Sequence, residues 1–132
     1  EMEEQKRNAL QLDQFERAFA ALQEAIDTDD GDKKSRDSIL LSFVFSFEMA
    51  CKSMRSALAL LGLNVADYAS AILRGAFQAR LFDEPGAWEK LREDRNNVAH
   101  AYDEERAIEI AAHVRDEAPR LYARLLDELR KL

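Results

Sequence analysis

From Asp37 to Leu61 apolar side chains stand at nearly every angular position of a helix. Ile39, Leu40, Leu41, Phe43, Val44, Phe45 and Phe47 cover almost its whole circumference. Such a helix must be covered on all sides, which demands either the centre of a bundle or a face shared with a partner. Four glycines and two prolines are few for the frequent turns that sheets require, and runs of Ala, Leu, Glu, Arg and Asp belong to helices. The chain therefore reads as all-α: an antiparallel bundle of four to five helices, with a dimer as the simplest cover for the apolar helix. Its 132 residues, 47% hydrophobic, suit one domain over residues 1–132 with one buried core.

Four further helices are expected around it. Leu12, Phe15, Phe19, Leu22 and Ile26 recur at steps of three and four and mark a helix from about residue 4 to 27. The polar stretch from Asp27 to Ser35, with Gly31, breaks the pattern and reads as a loop. Gly62 suits the left-handed position that closes the apolar helix. Asp67 is a candidate cap for a third helix carrying Tyr68, Ile72, Leu73 and Phe77 and ending near Phe82. Pro85 suits the first turn of a fourth, with Trp88 and Leu91 inward. A fifth, from about Asp103 to Lys131, places Ile108, Ile110, Val114, Leu121, Leu125 and Leu129 inside, and Pro119 should bend it.

Several classes of function are disfavoured. The longest apolar run, Ile39 to Met49, is too short and too polar to span a bilayer, so no membrane partner is expected. The leading residues, EMEEQKRN, are unlike a secretory leader, and the lone cysteine, Cys51, fits a reducing cytoplasm. Two histidines, His100 and His113, stand far apart, so no metal pattern appears and no cofactor is indicated. A net charge of -7 opposes indiscriminate binding to nucleic acid backbones and restricts any RNA contact to a local patch. Arg74, Arg80, Lys90 and Arg92 are candidates for that patch, although each also reads as an ordinary surface charge.

One stretch departs from helix propensity. EDRNNVAHAYDEE, Glu93 to Glu105, gathers Arg95, Asn96, Asn97, His100 and Tyr102, although Asn is a poor helix former. On a continuous helix Asn96 and His100 share a face, while Arg95 and His100 diverge by about 140°. A helix end near His100 or Ala101 brings Tyr102 beside His100, and Asp103 then caps the last helix. The bland account has His100 as a capping group and Arg95 paired with Glu93, Asp94 or Asp103. His113 lacks a carboxylate at catalytic spacing and reads as structural, Cys51 as an inert packed thiol, and Glu48 with Lys52 as an ion pair.

The same residues carry a family resemblance. R-N-N-V-A-H-A-Y, Arg95 to Tyr102, resembles the Arg, four residues, His, any residue, Tyr signature of the HEPN superfamily, in particular the small partners of minimal nucleotidyltransferases. FVFSFEMACKSMRSAL (Phe43 to Leu58) is similar to that family's second helix, AILRGAF (Ala71 to Phe77) to its third, and WEKLREDRN (Trp88 to Asn96) to the approach to the signature. Tyr68-Ala69 departs from the Ser-Pro that usually opens the third helix.

The resemblance implies a homodimeric bundle in which two copies of Arg95 and His100 share a cleft. It further implies a toxin acting as a metal-independent endoribonuclease on an RNA substrate such as tRNA or mRNA. A minimal nucleotidyltransferase antitoxin would neutralise it by adenylylating Tyr102. The chemistry is coherent: His100 shuttles protons between the ribose hydroxyl and the leaving oxygen, Arg95 stabilises charge on the phosphoryl group, and Asn96 and Tyr102 support the site. An older family name implies the alternative, a non-catalytic nucleotide- or substrate-binding subunit of a nucleotidyltransferase.

Overall fold

The structure, a computed structural model, describes residues 2–101 and 103–132. Among them lie five α-helices and no strand: α1 (Met2–Asp27), α2 (Lys33–Leu60), α3 (Ala69–Gln78), α4 (Pro85–Val98) and α5 (Glu104–Leu129). The apolar helix α2 takes the centre, touching each of the other four, and its most extensive partner is α1.

The caps explain the boundaries. α2 starts at Lys33, four residues before the apolar pattern does, because the Asp32 side chain accepts the Ser35 backbone N–H at 2.8 Å. That bond holds the Asp32 carboxyl below its usual range. At the other end Gly62 has φ +82°, Gly62 N–H donates to Ala59 and Leu63 N–H donates to Leu58, the paired bonds of a Schellman close. α3 ends the same way, but at Gln78 and with Arg80 in the left-handed position (φ 62°) that glycine usually fills. Its close is secured by the bond from Leu81 N–H to Ala76 and by burial of Leu81 and Phe82. Asp67 does not cap α3; the N-cap is Tyr68, without a side-chain hydrogen bond. Pro85 opens α4 and Asp103 caps α5 through Arg106 N–H, while α5 runs unbroken through Pro119.

The core gathers around Tyr122. Its ring meets Phe15 edge-on at 5.2 Å, Phe19 at 5.4 Å and Trp88 at 5.9 Å between centroids, and its hydroxyl lies 3.1 Å from the Ser46 hydroxyl. Complete burial pushes the phenol's pKa up. A bonded hydroxyl on a buried ring combines apolar area with a satisfied polar end.

Within the single chain one stripe of α2 is open, the face that a partner would have to share: Leu41 is 74% and Phe45 53% exposed, and they line up with Glu48 and Lys52 at steps of four, three and four. One burial expectation is corrected. Ile108 is 48% exposed rather than inside, because the buried stripe of α5 runs through Ile110, Val114, Ala118, Leu121 and Leu125, and a position two residues before Ile110 lies across the helix. No helix among the described residues is long and apolar enough to cross a membrane.

Candidate functional site

Arg95 and Asn96, on the last turns of α4, line a cavity of about 310 Å³ between α2, α3 and α4. Phe47, Cys51 and Ile72 give it an apolar floor, and Glu48, Lys52, Asp67 and Tyr68 stand around the mouth. Both signature residues are exposed. Arg95 has no ion-pair partner among the described residues, so the expected surface pairing with Glu93, Asp94 or Asp103 is not seen. Its charge reaches the Cys51 thiol from across the cavity, yet burial dominates there and pushes the thiol up to about 12. Cys51 is therefore protonated and unreactive at neutral pH.

The wall opposite Arg95 is the start of α3. Tyr68 and Ala69 line the cavity, and no side chain caps the helix, so the first N–H groups of α3 have no side-chain cap to accept them. The Tyr68 ring is 58% exposed. Arg92, on the same cavity, is already engaged: its Nε donates to both Glu89 oxygens at 2.8 Å and holds that carboxyl below the usual range. Lys52 lies 3.7 Å from Glu48, which places the expected pair but loosely.

His100 is placed differently. α4 ends at Val98, and His100 follows in an exposed turn in which its N–H donates to Asn97 at 3.0 Å. It does not line the cavity that Arg95 and Asn96 share, so within one chain imidazole and guanidinium are not gathered there. Tyr102 lies outside the described residues. Of the remaining candidate cations, Arg74 and Arg80 are exposed and Lys90 pairs with Asp94 at 3.2 Å. Among the described residues no group of three or more His, Cys, Asp or Glu side chains is placed to hold a metal ion.

Sequence reasoning missed the partner of His113. On the α5 side of α4 the Asp94 carboxylate, with a side chain only 3% exposed, bonds His113 Nδ1 through Oδ2 and faces Lys90 through Oδ1. A signal existed. Asp94 follows Trp88 and Leu91 at steps of three on the buried face of α4, and a carboxylate on such a stripe needs a partner from the neighbouring helix. Periodicity groups Tyr68 with the apolar residues of the third helix, and its exposure beside the α3 start follows from a turn geometry that no propensity encodes.

Comparison with known proteins gives the family and the fold. Residues 10–131 match the family described as nucleotidyltransferase substrate binding protein like. A protein of Thermus thermophilus known from its crystal structure is 27% identical and superposes with a TM-score of 0.80, over 88% of this chain and 98% of its own. A search among curated proteins finds no match.

Proposed function

Because the chain belongs to the nucleotidyltransferase substrate binding protein-like family, we propose that it is a non-catalytic subunit that holds a nucleotide for a separate nucleotidyltransferase. One observation carries this reading: the Arg95 guanidinium, without an ion-pair partner among the described residues, and the start of α3, without a side-chain cap, border one cavity with an apolar floor. A guanidinium and free helix N–H groups are matched to a phosphate, while Phe47, Ile72 and the exposed Tyr68 ring suit a nucleobase. Asn96 supplies donor and acceptor for a base edge or a phosphate oxygen.

The test is calorimetric titration of AMP and ATP into wild type and Arg95→Ala. Saturable binding by wild type that weakens about tenfold or more in the variant is expected, the worth of a charge-assisted hydrogen bond. Absence of binding to any nucleotide rejects the reading.

A second reading, the metal-independent endoribonuclease toxin, is supported by the exposure of both Arg95 and His100. In that reading Leu41 and Phe45 meet a second copy, and the two chains together bring imidazole and guanidinium to one RNA phosphate. The partner nucleotidyltransferase would then act as antitoxin by adenylylating Tyr102. Growth arrest on expression without the partner, relieved by His100→Ala, favours this reading. Harmless expression of both forms, together with nucleotide binding, favours the subunit.

A further inference from the structure

A second cavity of about 290 Å³ lies between α1, α2 and the α2–α3 loop, and Lys52 and Asp67 belong to its wall and to that of the Arg95 cavity alike. We propose that it is a polyphosphate site: it takes the terminal phosphoryl groups of a nucleoside triphosphate whose nucleoside and first phosphate lie beside Arg95. The nucleoside half rests on the nucleotide-binding reading above; the phosphate half stands on the second cavity alone.

Three cations converge there from two helices, Arg7 from α1 and Lys52 and Arg55 from α2. Like charges gathered around one hollow repel unless something anionic lies between them. Internal acids fill that role only in part. Lys52 pairs with Glu48 at 3.7 Å and Arg55 with Asp67 at 3.8 Å, both beyond hydrogen-bonding distance, Arg55 Nε donates to the Val65 carbonyl at 3.3 Å, and Arg7 has no ion pair among the described residues.

Gln11, in the same wall, has its side-chain oxygen buried with no hydrogen-bond partner. Buried polar atoms are nearly all bonded in folded proteins, so an orphan beside a polar cavity points to a ligand or water that completes it. A turn about the last torsion presents either the oxygen or the amide N–H groups to the hollow. Glu4 and Asp67 also border it. They oppose a bare anion but suit a phosphate chain that carries Mg²⁺, an ion commonly held by one or two carboxylates together with substrate phosphates.

The spacing fits a chain rather than two separate anions. The α2 residues of the two cavities, Phe47 to Lys52 and Lys52 to Ala59, are centred about six positions apart, which is about 9 Å along the helix axis. Lys52 stands between them, where a linking phosphate would pass.

The experiment is titration of AMP, ATP and inorganic tripolyphosphate, in Mg²⁺ buffer, into the full chain and its Arg7→Gln, Arg55→Gln and Arg95→Gln variants. ATP is expected to bind about tenfold or more tightly than AMP. Arg7→Gln and Arg55→Gln should erase that advantage, leave AMP affinity unchanged and abolish tripolyphosphate binding. Tripolyphosphate binding that needs Arg7, without any nucleotide binding, keeps the polyphosphate site and removes the nucleotide reading. Nucleotide binding that needs Arg95 and ignores Arg7 and Arg55 does the reverse. Equal affinities for AMP and ATP, or no binding of any probe, overturn the proposal.

Discussion

The two sides of α4 differ in what their charges do. Toward α5, Asp94 is buried and tied to His113 and Lys90; toward α2 and α3, the next residue, Arg95, is exposed on an open cavity and has no ion-pair partner among the described residues. One side commits Asp94 to a bond between helices, and the other leaves Arg95 available although its neighbour Arg92 is engaged by Glu89. Adjacent positions on a helix point about 100° apart, so a single residue step separates a buried, paired charge from an exposed one.

The largest effect should come from breaking the closed side. Asp94→Ala removes the carboxylate that His113 and Lys90 share and leaves a small buried gap. Loss of one partner of a buried pair costs about 3 kcal/mol or more, lowered here to about 2 kcal/mol because His113 and Lys90 remain partly in water. Urea unfolding should show a lower midpoint at an unchanged slope. A variant as stable as wild type would mean that the pair does not hold α4 to α5.

The open side has a stability requirement of its own in Gly75. A Cβ there would lie 2.8 Å from Val65 Cγ1 and 3.2 Å from Leu58 Cδ1, so α3 approaches α2 and the following loop as closely as it does only because the side chain is absent. Gly75→Val should cost about 2 kcal/mol through overpacking. It should also shift Val65, which borders the second cavity, and so weaken tripolyphosphate binding along with the melting temperature. A stability loss with unaltered binding would separate the loop from the site.

Alkaline pH sharpens the contrast, because the floor of the open cavity is itself buried. The folded Cys51 thiol keeps its proton up to about 12 against 9.0 for an ordinary thiol, so above pH 9 the unfolded chain releases a proton that the folded chain retains. A raised folded pKa contributes stability that is complete below pH 9 and is lost as pH climbs toward 12. Between pH 9 and 10 the loss should be about 1 kcal/mol, and Cys51→Ala should flatten that slope whatever its effect at neutral pH. The Tyr122 phenol adds a loss of the same sign above 10. Equal slopes for both proteins would show the thiol to be wet.

What was legible in the sequence follows from range. Periodicity and local cap chemistry placed α1, α4 and α5 to within a few residues, and Gly62, Pro85 and Asp103 took their expected positions because each needs only its immediate neighbours. The start of α2 was missed because Asp32 caps it from within a polar run, and the end of α3 because an arginine stands where glycine was the signal. Arg95 and Asn96 were legible as an anomaly of composition. Their separation from His100 depended on α4 stopping at Val98. The Asp94–His113 bond joins residues 19 positions apart, and no local rule reaches that far.

The smallest effect is the most informative about the comparison. Arg95→Ala removes an exposed guanidinium that has no ion-pair partner among the described residues, so its unfolding free energy should stay within about 0.5 kcal/mol of wild type. Its exposed position also means that no cavity opens in the core. Removal of its positive charge from beside Cys51 should raise the thiol further without consequence at pH 7, where the thiol is already protonated. Nucleotide affinity should nevertheless fall about tenfold or more. That dissociation of binding from stability, one position away from a residue with the opposite behaviour, is what an available charge predicts. A stability loss matching that of Asp94→Ala would instead make Arg95 another fastener of the bundle.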